Sequence, residues 1–130
     1  MYSLDFILSG VHHTMPDGLI IRLNQAAVEG LARVDSVYFD HYNIPGLYAV
    51  RPRYFHPDVE QWKDIGAVLR DMSGDCKDLT AWRLAELWRQ GVPARAESVV
   101  QRFGTRLSFH TFVRLPNGRT EDPSRELGMT

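Results

Sequence analysis

The chain predicts an α+β fold, with helices in its first two thirds and a small antiparallel sheet in its last third. Three observations carry this. Apolar residues recur at helical spacing as far as Trp88, the period shortens to that of strands beyond Pro93, and Pro116-Asn117-Gly118 supplies a hairpin turn.

Taken in order, turn signals at Met15-Pro16-Asp17-Gly18 precede a first helix whose expected buried face is Leu23, Ala26, Ala27, Leu31 and Val34. Between Val37 and His56, aromatic residues mix with Pro45, Gly46 and Pro52, which predicts an extended, irregular stretch serving as a lid or brace. A second helix is expected from His56-Pro57-Asp58, where proline suits the first turn and an acid suits the positive helix end. It runs through Trp62, Ile65, Val68 and Leu69 until Ser73-Gly74 stops it. The third helix starts at once, with Asp75 as N-cap, Asp78 as capping partner, and Ala81, Leu84, Ala85 and Trp88 on one face. Gly91 and Pro93 close it.

Strands are expected over 96–100, 107–115 and 120–122. Side-chain parity then discriminates between turns. A two-residue Asn117-Gly118 turn would pair Val113 with Asp122 and face His110 away from it. A three-residue turn with Gly118 in a left-handed conformation sets Phe112 opposite Asp122 and His110 on the same face as both, and this geometry is the expected one.

With 130 residues and 44% hydrophobic content, the chain holds one core and reads as a single domain. Residues 1–53 form its N-terminal helix and brace, and 54–130 its catalytic-type core. A net charge of -1 argues against nucleic acid or an anionic membrane as partner. The segment 1–10 lacks the basic start of a signal peptide, and no run of about 18 apolar residues exists to span a bilayer. A lone cysteine makes no internal disulfide, so a reducing compartment suits the chain.

That cysteine, Cys76, lies in Gly74-Asp75-Cys76-Lys77-Asp78-Leu79 at a helix start, followed downstream by His110 and Asp122-Pro123-Ser124. The order reads as nucleophile, base and orienting carboxylate. A thiol attacks as thiolate, which a helix N-terminus and a histidine both favour. Lys77 would lower the thiol pKa while Asp75 and Asp78 would raise it, so the net sign is open at this level. His12, His13, His41 and His56 lack zinc spacing with Cys76, and no glycine-rich phosphate loop is present. No metal or cofactor is expected. Trp62, Trp82 and Trp88 read as core, with Trp62 or Tyr54 also placed to wall the nucleophile's pocket. Arg51, Arg53, Arg102, Arg106 and Arg114 read as a solvated face.

Gly-Asp-Cys-x-Asp-Leu opening a helix, the Gly91-Val92-Pro93-Ala94-Arg95 exit into strands, a strand histidine and an Asp-Pro together resemble the transglutaminase-like superfamily over about residues 54–129. Ala81-Trp82-Arg83-Leu84-Ala85-Glu86-Leu87 and the ending Glu121-Asp122-Pro123-Ser124-Arg125-Glu126-Leu127-Gly128-Met129 are similar to small transglutaminase-like proteins of tailed bacteriophages and prophages. Lys77 departs from that pattern, which more often has an acid there.

The resemblance implies a papain-like core, with a helix presenting its cysteine to a short antiparallel sheet. It implies thiol acyl transfer on amide or peptide bonds, with Cys76 as nucleophile, His110 as general base and acid, and Asp122 fixing the imidazole tautomer. A protein or peptide substrate, and a phage virion or host protein partner, follow from it, as does residence in the host cytoplasm or the virion. The competing expectation is a non-catalytic phage assembly or host-protein-binding module on the same fold. An arylamine-type acetyltransferase ranks last, because the chain is too short to add a cofactor-binding domain.

Overall fold

Helix α1 (Asp17–His41) enters from Pro16, whose carbonyl accepts the amides of Leu19 and Ile20, and it buries a face quite unlike its most apolar one. The computed structural model describes residues 16–103 and 106–130, with the backbone alone for 102, 103, 106 and 107. The readings made on 1–10, on His12, His13 and Met15 and on the side chains of Arg102 and Arg106 lie outside the described residues. Ile20, Asn24, Val28, Glu29, Ala32 and Asp35 are the residues α1 buries, whereas Ala26 and Val34 of the expected face are exposed.

Long-range hydrogen bonding explains the difference. Glu29 Oε2 accepts the amide of Ala96 at 2.9 Å and Gln25 Oε1 that of Ser98 at 3.0 Å. Asn24 Oδ1 accepts the hydroxyls of Ser98 and Thr111 at 2.6 and 3.1 Å. The buried polar side chains are therefore bonded to the sheet, and bonded polar groups are tolerated inside. α1 also continues through Tyr38 and Phe39, so the irregular stretch expected from Val37 begins only after His41. No proline or glycine interrupts 37–41, and the Tyr38 hydroxyl anchors that turn by donating to Asp64 Oδ2 at 3.0 Å.

After the short helix α2 (Leu47–Val50) and strand β1 (Arg53–Tyr54), residues 55–64 are not helical. The second long helix of the sequence reading is instead α3 (Ile65–Asp71). Carboxylates capture the amides that an earlier start would need: Asp78 Oδ1 takes Lys63 N and Asp35 Oδ1 takes Ile65 N, each at 2.8 Å. Asp64 is the N-cap, accepting from Ala67 N at 2.9 Å. Met72, at φ 50, ends α3 in a left-handed turn. The chain then forms β2 (Ser73–Gly74), which pairs in parallel with β1 so that Tyr54 lies opposite Gly74.

Helix α4 (Cys76–Arg89) begins where its sequence says. Asp75 accepts from Asp78 N while Asp78 accepts from Asp75 N, a complete capping box. At the far end Val92 N bonds Leu87 O and Gly91 N bonds Trp88 O, with Gly91 at φ +82, a Schellman motif. α4 serves two apolar clusters. Ala81, Leu84 and Leu87 meet Val28, Ala32, Ala96 and Val113, while Leu79 and Trp82 meet Leu47, Ile65, Val68 and Leu127.

The sheet is antiparallel, in the order β3 (Arg95–Phe103), β4 (Arg106–Arg114), β5 (Thr120–Glu121), so the architecture is α+β. α1 packs over β3 and α4 over β4, burying Ala96, Ser98, Thr111 and Val113. β4 and β5 pair Val113 with Glu121, which sets Phe112 opposite Asp122. Leu115 N bonds Arg119 O across a three-residue turn in which Gly118 has φ +88. The expected register is the observed one. No helix among the described residues is long and apolar enough to cross a membrane.

Candidate active site

His110 projects from β4 on the hairpin face away from Thr111 and Val113, and Asp122 follows β5 directly. Because the three-residue turn brings both to one face, His110 Nε2 and Asp122 Oδ2 lie 2.6 Å apart. That bond commits Nε2, which makes Nδ1 the ring nitrogen that would serve a nucleophile. Phe112 stacks on the imidazole with centroids 5.8 Å apart. Asp122 is fixed a second way, as N-cap of α5 (Pro123–Glu126), where its Oδ1 accepts Arg125 N at 3.3 Å. The residue before Asp122, Glu121, is anchored in turn: Arg83 Nε and the Tyr48 hydroxyl both donate to its Oε2 at 2.6 Å, and Arg83 also pairs with Glu86 at 2.8 Å.

Cys76 opens α4 against the edge of β4. Its Sγ lies 3.8 Å from Phe109 O, which sets the thiol against the backbone of the residue before His110. Among the described residues no hydrogen bond joins Sγ to the imidazole. Burial is the largest influence on this thiol and pushes its pKa up to about 12; Asp75 adds to the rise, and the Thr111 amide and Lys77 oppose it without prevailing. The sign left open by the sequence is thus positive, and the resting sulfur is a protonated thiol.

Lys77 is committed to neighbouring carboxylates. Its ammonium is 2.5 Å from Asp75 Oδ2, 2.9 Å from Glu60 Oε1 and 5.2 Å from the centre of the Trp62 ring. Burial pulls the ammonium's pKa down, but Asp75 and Asp78 outweigh it and the net shift is upward. His56, Glu60 and Asp75 bring one ligand atom each within 4.8 Å of the others, a set whose chemistry fits a divalent cation. Two of the three already bond the Lys77 ammonium, which supplies the positive charge at that point. Asp78 is likewise pushed up, by burial first and Asp75 second.

A groove of about 360 Å3 opens beside His110, between the outer face of the β3–β4 hairpin, Tyr54 of β1 and Arg125 of α5. The Tyr54 phenol is raised in pKa by burial and then by the proximity of Cys76, Asp75 and Asp122. Its strand pairing with Gly74, two residues before Cys76, explains that proximity.

Of the residues singled out by sequence, His110 and Asp122 are in contact and Cys76 is beside them without bonding the ring. Tyr54 does wall the groove, while Trp62 covers Lys77 instead. Trp82 is fully buried and Trp88 partly so, and the Trp88 Nε1–H donates to Ala94 O at 2.7 Å. Arg83, Glu121 and Arg125 lie within the stretches that carry the resemblance, but their ion pairs were not readable from those stretches. No family model matches the chain, and neither a curated protein nor a solved structure matches it.

Proposed function

We propose that this protein is a transglutaminase-like cysteine hydrolase of amide or peptide bonds, of phage or prophage origin, built on a papain-like core. The observation that carries the reading is the 2.6 Å His110–Asp122 bond on the strand whose backbone holds the Cys76 sulfur. In the reaction, His110 Nδ1 takes the thiol proton as Sγ attacks the carbonyl carbon, which the protonated resting thiol requires. The carbon–nitrogen bond then breaks, the amine leaves with the proton from His110, and water cleaves the thioester to release the acid and restore the thiol. Asp122 holds the imidazole orientation and stabilises its cation. The Cys76 amide at the start of α4 and the Tyr54 hydroxyl serve as oxyanion donors.

A second reading, a non-catalytic assembly or host-protein-binding module, draws on one observation: the thiol interacts with Phe109 O and is held neutral. Turnover of a library of peptide amides, followed by mass spectrometry, separates the two. Hydrolysis is expected for the wild type, none for Cys76→Ser, and a loss of about 10²- to 10⁴-fold for Asp122→Asn. Equal product from wild type and Cys76→Ser, or none from either, would overturn the hydrolase reading.

A further inference from the structure

Among the described residues that line the groove beside His110 there is no carboxylate, although acids outnumber lysines and arginines in the chain, 16 to 15. β3 and β4 pair Val99 with His110 and Gln101 with Ser108, so these four share the hairpin face that forms its floor. Across from them stands Arg125, a guanidinium with 72% of its side chain exposed. Only its Nε is used, pairing with Asp122 Oδ2 at 3.2 Å; the two terminal amino groups have no partner among the described residues. Asp122 shares that same oxygen with His110 at 2.6 Å, so a single carboxylate is divided between the imidazole and the guanidinium.

We propose that this groove is a subsite for an acidic side chain of a peptide, held by Arg125, with Gln101 and Ser108 as hydrogen-bond donors. The inference rests on the hydrolase reading for its place in catalysis. A guanidinium fork with free terminal amino groups matches a carboxylate in geometry and charge. Val99, 49% exposed, and Met129 give apolar walls for the neighbouring peptide, and one guanidinium suits a single negative charge better than a phosphate dianion. The acidic residue would bind next to the imidazole, setting which amide meets Cys76.

Binding is tested without turnover, in the Cys76→Ser protein, by amide NMR titration with acetyl-Ala-Glu-Ala-amide, acetyl-Ala-Gln-Ala-amide and acetyl-Ala-Ala-Ala with a free carboxyl end. The Glu peptide is expected to bind about tenfold more tightly than the Gln peptide, shifting Ser108, Phe109 and His110. Arg125→Gln should erase the difference, and Gln101→Glu, which adds a repelling charge to the floor, should reduce it in a protein with Arg125 intact. Equal binding of Glu and Gln peptides, binding of neither, preference for the free carboxyl end, or indifference to Arg125→Gln overturns the subsite. Selective binding of the Glu peptide alongside a wild type that hydrolyses nothing would leave the subsite standing and remove the hydrolase reading. Hydrolysis of neutral and acidic amides at equal rates would do the reverse.

Discussion

Alkylation of Cys76 by iodoacetamide should be slow at neutral pH and should keep accelerating beyond pH 10. The free thiol value of 9.0 is raised to about 12 in the fold. At pH 8 that leaves about one sulfur in 10⁴ ionised, against about one in ten for the unfolded chain, a suppression of about 10³. The assay is the rate of mass increase between pH 7 and 11 for native protein and for protein in urea. A high pKa gives a native rate that climbs about tenfold per pH unit past the point where the unfolded rate levels off; steric shielding alone would give parallel curves. Stability should follow the same shift. The unfolded chain loses its proton first, so the stability is complete below pH 9 and falls by about 1.4 kcal/mol per unit as pH rises toward 12. The reasoning is refuted if native Cys76 reacts faster than the unfolded thiol near pH 7 and His110→Ala abolishes that speed. Such a result would mean a resting thiolate–imidazolium pair and a sulfur far better solvated than its packing implies.

Asp35 offers a second pH test. Burial, opposed by the Ile65 amide and reinforced by Asp64 and Asp78, raises it to about 8, and its Oδ2 is buried with no hydrogen-bond partner among the described residues. Its folded value exceeds its unfolded one, so stability is full below about pH 4 and is lost as pH rises through 8. Asp35→Asn should therefore match the wild type near pH 4 and exceed it at pH 7 by up to about 4 kcal/mol in urea denaturation; no gain at pH 7 would refute the neutral carboxyl. Gly66→Ala should cost about 1–2 kcal/mol, because the added methyl would sit 2.5 Å from the Tyr38 hydroxyl and displace it from Asp64. A variant with unchanged thermal stability would show that Tyr38 is not held there.

Local chemistry made part of this molecule readable in advance. The capping box of α4 and the glycine turn of the β4–β5 hairpin are each specified by residues within a few positions of one another, and both elements lie where expected. The register they imply placed His110 and Asp122 on one face. The buried face of α1 was not readable in this way, because Asn24, Glu29 and Asp35 are inside only by virtue of partners 30 or more residues away. The start of α3 failed for the same reason: Pro57-Asp58 looks like a helix entrance, but Asp78 and Asp35 claim the nearby amides. Arg125 stands in an unremarkable charged tail until α5 turns it toward the groove. The pKa direction at Cys76 likewise needed packing density, which no motif encodes.

The side chains that α1 lays along β3 stand where another strand would otherwise lie. A sheet margin with open amide donors invites pairing with any extended chain, including a second copy of the same protein. Glu29 and Gln25 occupy two of those donors from a helix, which cannot propagate a ladder. α1 is thus a terminator of sheet growth as well as a layer of the core, and displacing it would free the amides of Ala96 and Ser98 for pairing with another extended chain.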